Sequence, residues 1–244
     1  MGKGEPIVLI HGYLSSSHYF KSIQKRLALD YMVIALDLLG FGKSPKPKIN
    51  HDYDAHIDAI NRTLDSLGVE RPFILLGHSL GAMISLRYAL ERPHDIKQLL
   101  LFNPPIFTDP SQATNHHAKS GKHYRMLLHS PRRNGYWRAM KLIPHNATER
   151  RPAINFADTL RMSPHAREGS YSNIIMQSEV LQDLEVIQPK TLLVIGKYDR
   201  LVYIDNVKDR KLATSVDVKI VETGHHTLIK APELSEKLIR EYIS

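Results

Sequence analysis

Six short apolar runs, each set off by turn residues, constrain the fold of this chain more than any other feature. They are Pro6–Ile10, Met32–Leu36, Phe73–Leu76, Ile96–Phe102, Thr191–Ile195 and Val216–Val221. Most lack polar alternation, as expected of strands covered on both faces. Between them Ser17–Leu29, Asp52–Leu67, Leu80–Glu91, Ile204–Leu212 and Pro232–Ile243 carry helical spacing, and Pro93 stops the third. Strand and helix in alternation imply right-handed crossovers. The expected class is α/β, a mostly parallel sheet of about six strands flanked by helices.

The alternation breaks once. From 104 to 176 there is no convincing buried strand, only scattered Pro, Gly and His with helix-like pieces. That is too long for a plain loop, so a helical lid over 104–176 is expected, inserted into a core made of 1–103 and 177–244. No internal repeat or low-complexity tract is visible.

Composition narrows the classes further. The 244 residues include no Cys, which excludes a disulfide framework, a thiolate metal site and a cysteine nucleophile. No apolar window approaches the roughly 18 residues of a membrane span, and the apolar run after Met1–Pro6 is too short for a leader peptide. The expected compartment is the cytoplasm. The net charge is +8, and 104–176 holds 11 Lys/Arg against 4 Asp/Glu, leaving 22 against 21 elsewhere. The excess therefore belongs to the expected lid. With no nucleic-acid-binding motif around it, it points to an anionic small-molecule substrate rather than nucleic acid.

The chemistry centres on Gly77-His78-Ser79-Leu80-Gly81, between the strand Phe73–Leu76 and the helix from Leu80. This is the G-x-S-x-G nucleophile elbow in strand–turn–helix context. A serine on so sharp a turn needs neighbours without bulk two positions either side, and Gly77 and Gly81 supply that. Folds with this elbow place an acid and then a histidine after the serine. Asp199 and His225 each fall just past a predicted strand, where open α/β sheets build their sites. Spacing alone does not separate His225 from His226. His11-Gly12-Tyr13 follows the first strand, so the backbone N–H groups of Tyr13 and Leu80 are the expected oxyanion donors.

These segments resemble the α/β-hydrolase superfamily of serine hydrolases, in the group of small bacterial lid-bearing esterases and C–C hydrolases. The resemblance runs through Ile7-Val-Leu-Ile-His-Gly-Tyr13, Asp37-Leu-Leu-Gly-Phe-Gly-Lys-Ser44, the elbow, Gly196-Lys-Tyr-Asp199, and Gly224-His225 with Ala231-Pro232-Glu233. It implies Ser79 as nucleophile, His225 rather than His226 as general base and acid, and Asp199 as the orienting carboxylate. Family members usually carry an antiparallel hairpin before the His-Gly strand, whereas this strand starts at Pro6. Six strands rather than eight are thus expected, with one edge open to a second copy.

His78, His226, Tyr136, Trp137, Arg125 and Arg138 are the candidates for substrate contact. The paired histidines lack a third ligand at suitable spacing, so neither metal nor cofactor is expected. The resemblance implies cleavage of carboxylic esters through an acyl-enzyme. The competing readings are a C–C hydrolase or thioesterase acting on an anionic small molecule, and a non-catalytic ligand-binding protein on the same fold.

Overall fold

The computed structural model of the chain describes residues 1–108, 111–112, 158, 161–202, 204–208 and 210–244. The strands are β1 (Pro6–Ile10), β2 (Met32–Leu36), β3 (Phe73–His78), β4 (Ile96–Phe102), β5 (Thr191–Gly196) and β6 (Val216–Val221). All pair in parallel, in the order β2-β1-β3-β4-β5-β6. The chain starts at an inner strand, steps outward to β2, then returns and builds the other way from β3. The order reverses between β1 and β3, and open α/β sheets bind ligands beyond the carboxyl ends of strands at such a reversal.

The four inner runs, β1, β3, β4 and β5, need no polar alternation because both sheet faces are covered there. On one face Val8, Ile10, Leu75, Leu99 and Leu193 pack with α2 (Tyr53–Ser66), α3 (Leu80–Glu91) and α5 (Val180–Val186). On the other Ile7, Leu9, Ile74, Leu76, Leu100 and Val194 pack with α1 (Lys21–Leu27) and α8 (Pro232–Ile243). Alternate residues of one strand thus feed two cores. In α2 the buried Ile57, Ile60 and Leu64 follow helical spacing, and Asp52 caps the helix by accepting the Ala55 N–H at 3.0 Å. By contrast, α3 is buried on nearly every side, as an apolar helix at the middle of a sheet must be.

Four helical segments depart from the sequence reading. The short α5 lies where no element is expected. Helix α4 (Pro164–Asn173) belongs to the expected lid range, yet Met162, Ala166, Ile174 and Ile175 join the same buried cluster as Leu75 and Leu80. Core packing therefore runs across the expected boundary at 176. The predicted helix Ser17–Leu29 opens as a 3-10 turn, Ser17–Phe20, before α1, and the predicted Ile204–Leu212 is cut to α6 (Ile204–Lys208). Most of the expected lid lies outside the described residues.

The sheet has two edges. On β2, Val33 exchanges backbone hydrogen bonds with Met1, at 2.7 and 2.8 Å. On β6, residues 217–220 are exposed, Val218 and Ile220 among them.

Candidate active site

The site is assembled where β1, β3, β4, β5 and β6 end. Ser79 sits between β3 and α3 with φ 53°, a left-handed conformation that strains any residue but glycine. Its N–H donates to the Phe102 carbonyl at 2.9 Å, which ties the turn to β4. The turn exists only because its neighbours are glycine. A Cβ on Gly77 would lie 2.4 Å from the Gly81 carbonyl oxygen, and one on Gly81 would lie 2.1 Å from that of Ile10.

His225 precedes α7 (Thr227–Lys230), in the loop after β6. Its Nε2 lies 2.9 Å from Ser79 Oγ, and its Nδ1 lies 2.8 Å from Asp199 Oδ2. With a carboxylate at Nδ1, that nitrogen carries the proton, so the serine hydroxyl donates to Nε2. Asp199 is 5% exposed and Ser79 is 6% exposed. The second carboxylate oxygen of Asp199 accepts the Leu201 N–H at 2.8 Å. A buried carboxylate with donors on both oxygens is held in one orientation.

His78 and His226 do not meet the serine. His78 is 2% exposed, stacks on Tyr19 with ring centroids 4.3 Å apart, and donates from Nε2 to the His225 carbonyl at 2.8 Å. Burial, reinforced by the neighbouring His225 and His226, holds its pKa well below the ordinary histidine value. His226 turns to Tyr19, whose hydroxyl lies 3.5 Å from its Nδ1. Burial and the adjacent His225 pull its pKa down to about 4. Both imidazoles are neutral near pH 7 and buttress the loop that carries His225.

The His11-Gly12-Tyr13 segment abuts the elbow: a Cβ on Gly12 would lie 2.9 Å from Ser79 Cβ. The Tyr13 hydroxyl donates to the Arg167 carbonyl at 2.7 Å. Leu80 is the first residue of α3, where helix geometry supplies no intrahelical acceptor for the N–H. His11 is a floor residue. Its Nδ1 donates to the Gly12 carbonyl at 2.8 Å and its Nε2 accepts the Leu38 N–H at 3.0 Å. Arg125, Tyr136, Trp137 and Arg138 lie outside the described residues.

The sequence reading missed two contributors. Asn103, directly after β4, donates from Nδ2 to Asp199 Oδ2 at 3.0 Å. Tyr19 is the surface on which His78 and His226 pack. The available signal for Asn103 was its position, since it follows a strand end as Ser79 and Asp199 do.

A family model described as the alpha/beta hydrolase fold matches residues 5–232. Among curated proteins, the Probable lysophospholipase BODYGUARD 1 of Arabidopsis thaliana is 38% identical over 112 residues, 43% of this chain and 24% of that protein. A Cis-3-alkyl-4-alkyloxetan-2-one decarboxylase of Shewanella oneidensis is 37% identical over 112 residues, 45% of this chain and 35% of that protein. The chain thus spans only about a quarter to a third of the length of these relatives. Among solved structures, an esterase from Exiguobacterium antarcticum superposes with a TM-score of 0.76 at 23% identity, covering 100% of this chain and 93% of that one. A hydrolase from Pseudomonas aeruginosa does so with a TM-score of 0.79 at 19% identity, covering 100% and 92%. At these identities the structures speak to the fold.

Proposed function

The chain belongs to the alpha/beta hydrolase fold family, and from that premise we propose that it is a serine hydrolase that cleaves carboxylic esters. The observation that carries this reading is the unbroken succession Ser79 Oγ, His225 Nε2, His225 Nδ1 and Asp199 Oδ2, with links of 2.9 and 2.8 Å. In this reading His225 takes the serine proton as Oγ attacks the acyl carbon, and Asp199 stabilises the imidazolium that results. The Tyr13 and Leu80 N–H groups receive the developing oxyanion, each donor contributing about 3–4 kcal/mol in comparable sites. His225 then protonates the leaving alcohol, and water releases the acyl group from Ser79 by the reverse sequence.

Ester groups recur in the names of two curated relatives. A lysophospholipase is named for a carboxylic ester, and an oxetan-2-one is a cyclic ester, although that relative is named for loss of CO2 from it. The reading extends to a cytoplasmic enzyme whose 104–176 segment, with 11 Lys/Arg against 4 Asp/Glu, favours anionic esters. The edge open to a second copy is β6. Stopped-flow hydrolysis of p-nitrophenyl esters tests the chemistry. Wild-type protein gives a burst of p-nitrophenol, and Ser79→Ala slows turnover by roughly 10⁴-fold or more. Equal, slow rates for both proteins defeat the ester reading, and turnover of thioesters or a vinylogous diketone acid in their place selects the competing chemistry.

A further inference from the structure

We infer that Asn103 is a positioning residue for the Asp199–His225 pair, fixing the carboxylate and the histidine loop relative to each other. The inference rests on the triad reading above. Asn103 is fully buried and holds φ 51°, in the left-handed region that a non-glycine residue keeps only where its surroundings compel it. What compels it is visible. Its N–H donates to the Val194 carbonyl at 2.9 Å, so the backbone is locked to β5. Its Nδ2 donates to Asp199 Oδ2 at 3.0 Å and reaches the Gly224 carbonyl at 3.4 Å. Its Oδ1 accepts from Thr227 Oγ1 at 2.8 Å.

One side chain from β4 therefore touches the acid, the residue before His225 and the residue two after it. The amide has one orientation, because Thr227 takes the oxygen and the carboxylate requires the nitrogen. The end of β5 is shaped to admit it. A Cβ on Gly196 would lie 2.5 Å from the Gly224 carbonyl oxygen and 3.0 Å from Asn103 Nδ2. Asp199 Oδ2 consequently receives two donors, His225 from one loop and Asn103 from the neighbouring strand. The second donor keeps the oxygen facing the imidazole when the proton is in transit.

Among the described residues, the groups around the histidine are few. Asp199 faces it from the loop after β5, Ser79 from the elbow, and His78 from β3. His226 adjoins it, and Tyr19 and Lys230 lie behind His226. Among those that touch His225, Asp199 is the anion. Asn103→Asp keeps the shape and inverts the contact, since the variant is isosteric, still accepts from Thr227 and replaces Nδ2 by a carboxylate oxygen near 3.0 Å from Asp199 Oδ2. Two carboxylates so close repel each other, and where both are ionised the second adds negative charge beside the imidazole.

Two measurements test the inference. In an imidazole NMR titration, which needs no substrate, the His225 midpoint moves up by about one pH unit in Asn103→Asp. In steady-state hydrolysis of a p-nitrophenyl ester, kcat falls by about 10–100-fold while KM stays within about twofold. Asn103→Gly, which adopts the same φ without strain, is the second variant and shows the same kcat loss. Wild-type kcat in both variants, with an unmoved His225 titration in Asn103→Asp, overturns the inference and leaves Asn103 a space-filling residue. If wild-type protein hydrolyses no ester but the titration shifts, the ester reading fails and the positioning role stands.

Discussion

A methyl group is enough to test how the nucleophile turn is made. The Cβ of Gly81→Ala would lie 2.1 Å from the Ile10 carbonyl oxygen, and that atom is backbone of a buried strand that has nowhere to move. Either α3 shifts or the φ of 53° at Ser79 is lost. We expect a destabilisation of about 1–3 kcal/mol and a loss of activity of about a hundredfold, because a 1 Å displacement of the hydroxyl spoils attack geometry. Urea unfolding and ester turnover check the two effects separately, and an alanine variant with wild-type values for both refutes the steric account. The same local stringency made Ser79 legible in the sequence, since so strained a turn admits few residue types. Asp199 was legible from its place after β5 and its order after the serine. The preference for His225 over its neighbour came only from the resemblance, because spacing alone treats His225 and His226 alike. Asn103 had no such signature: a single asparagine after a strand is what many turns contain, and its meaning comes from partners in the loops after β5 and β6.

Among elements, the strands were the easiest to read because parallel strands buried on both faces concentrate apolar residues. The helices were legible in proportion to their hydrophobic contrast. Helix α4 buries Ala166, Arg167 and Ser170, so its inward face carries no apolar stripe for a periodicity argument to find. Helix α5 is two turns long, and its stripe of Val180, Leu181 and Leu184 is too short to stand out. The joint between strands is less visible still. His11 ties the end of β1 to the chain leaving β2, with Nε2 accepting the Leu38 N–H at 3.0 Å in a fully buried setting. Replacing it by phenylalanine keeps the ring beside Phe41 and removes the acceptor. An orphaned buried N–H costs about 1–3 kcal/mol, so His11→Phe should lower the urea midpoint accordingly at pH 7.5. A midpoint equal to wild type at that pH would show that the ring, not the bond, holds the joint.

At the scale of the whole molecule, buried imidazole is the dominant titrating feature among the described residues. His11, His51, His56, His78 and His226 all have pKa values below the ordinary 6.5, in each case chiefly because burial penalises the charged ring. For His56 the value is about 3 and for His226 about 4. The sign follows from proton counting. Below pH 6.5 the unfolded chain binds protons that the folded chain refuses, so stability is whole above that pH and is lost as pH falls toward the folded values. Asp183, buried beside Arg87, opposes this: its pKa is raised to about 6, so its contribution is present below about 3.8 and is lost as pH rises through 6. Glu91, raised chiefly by burial, acts with Asp183, whereas the lowered carboxyls of Asp37, Glu222 and Glu236 act in the same direction as the five histidines. Within its window each buried group changes stability by at most about 1.4 kcal/mol per pH unit, so the histidines prevail. The protein should therefore lose stability between pH 7 and pH 5, read as a falling urea midpoint at constant m-value. His11→Phe, with one such group removed, should start lower and fall less steeply. A midpoint that stays level or rises on acidification would mean that these rings take up protons in the folded state, and with them the tautomers assigned at His11 and His78 would have to be abandoned.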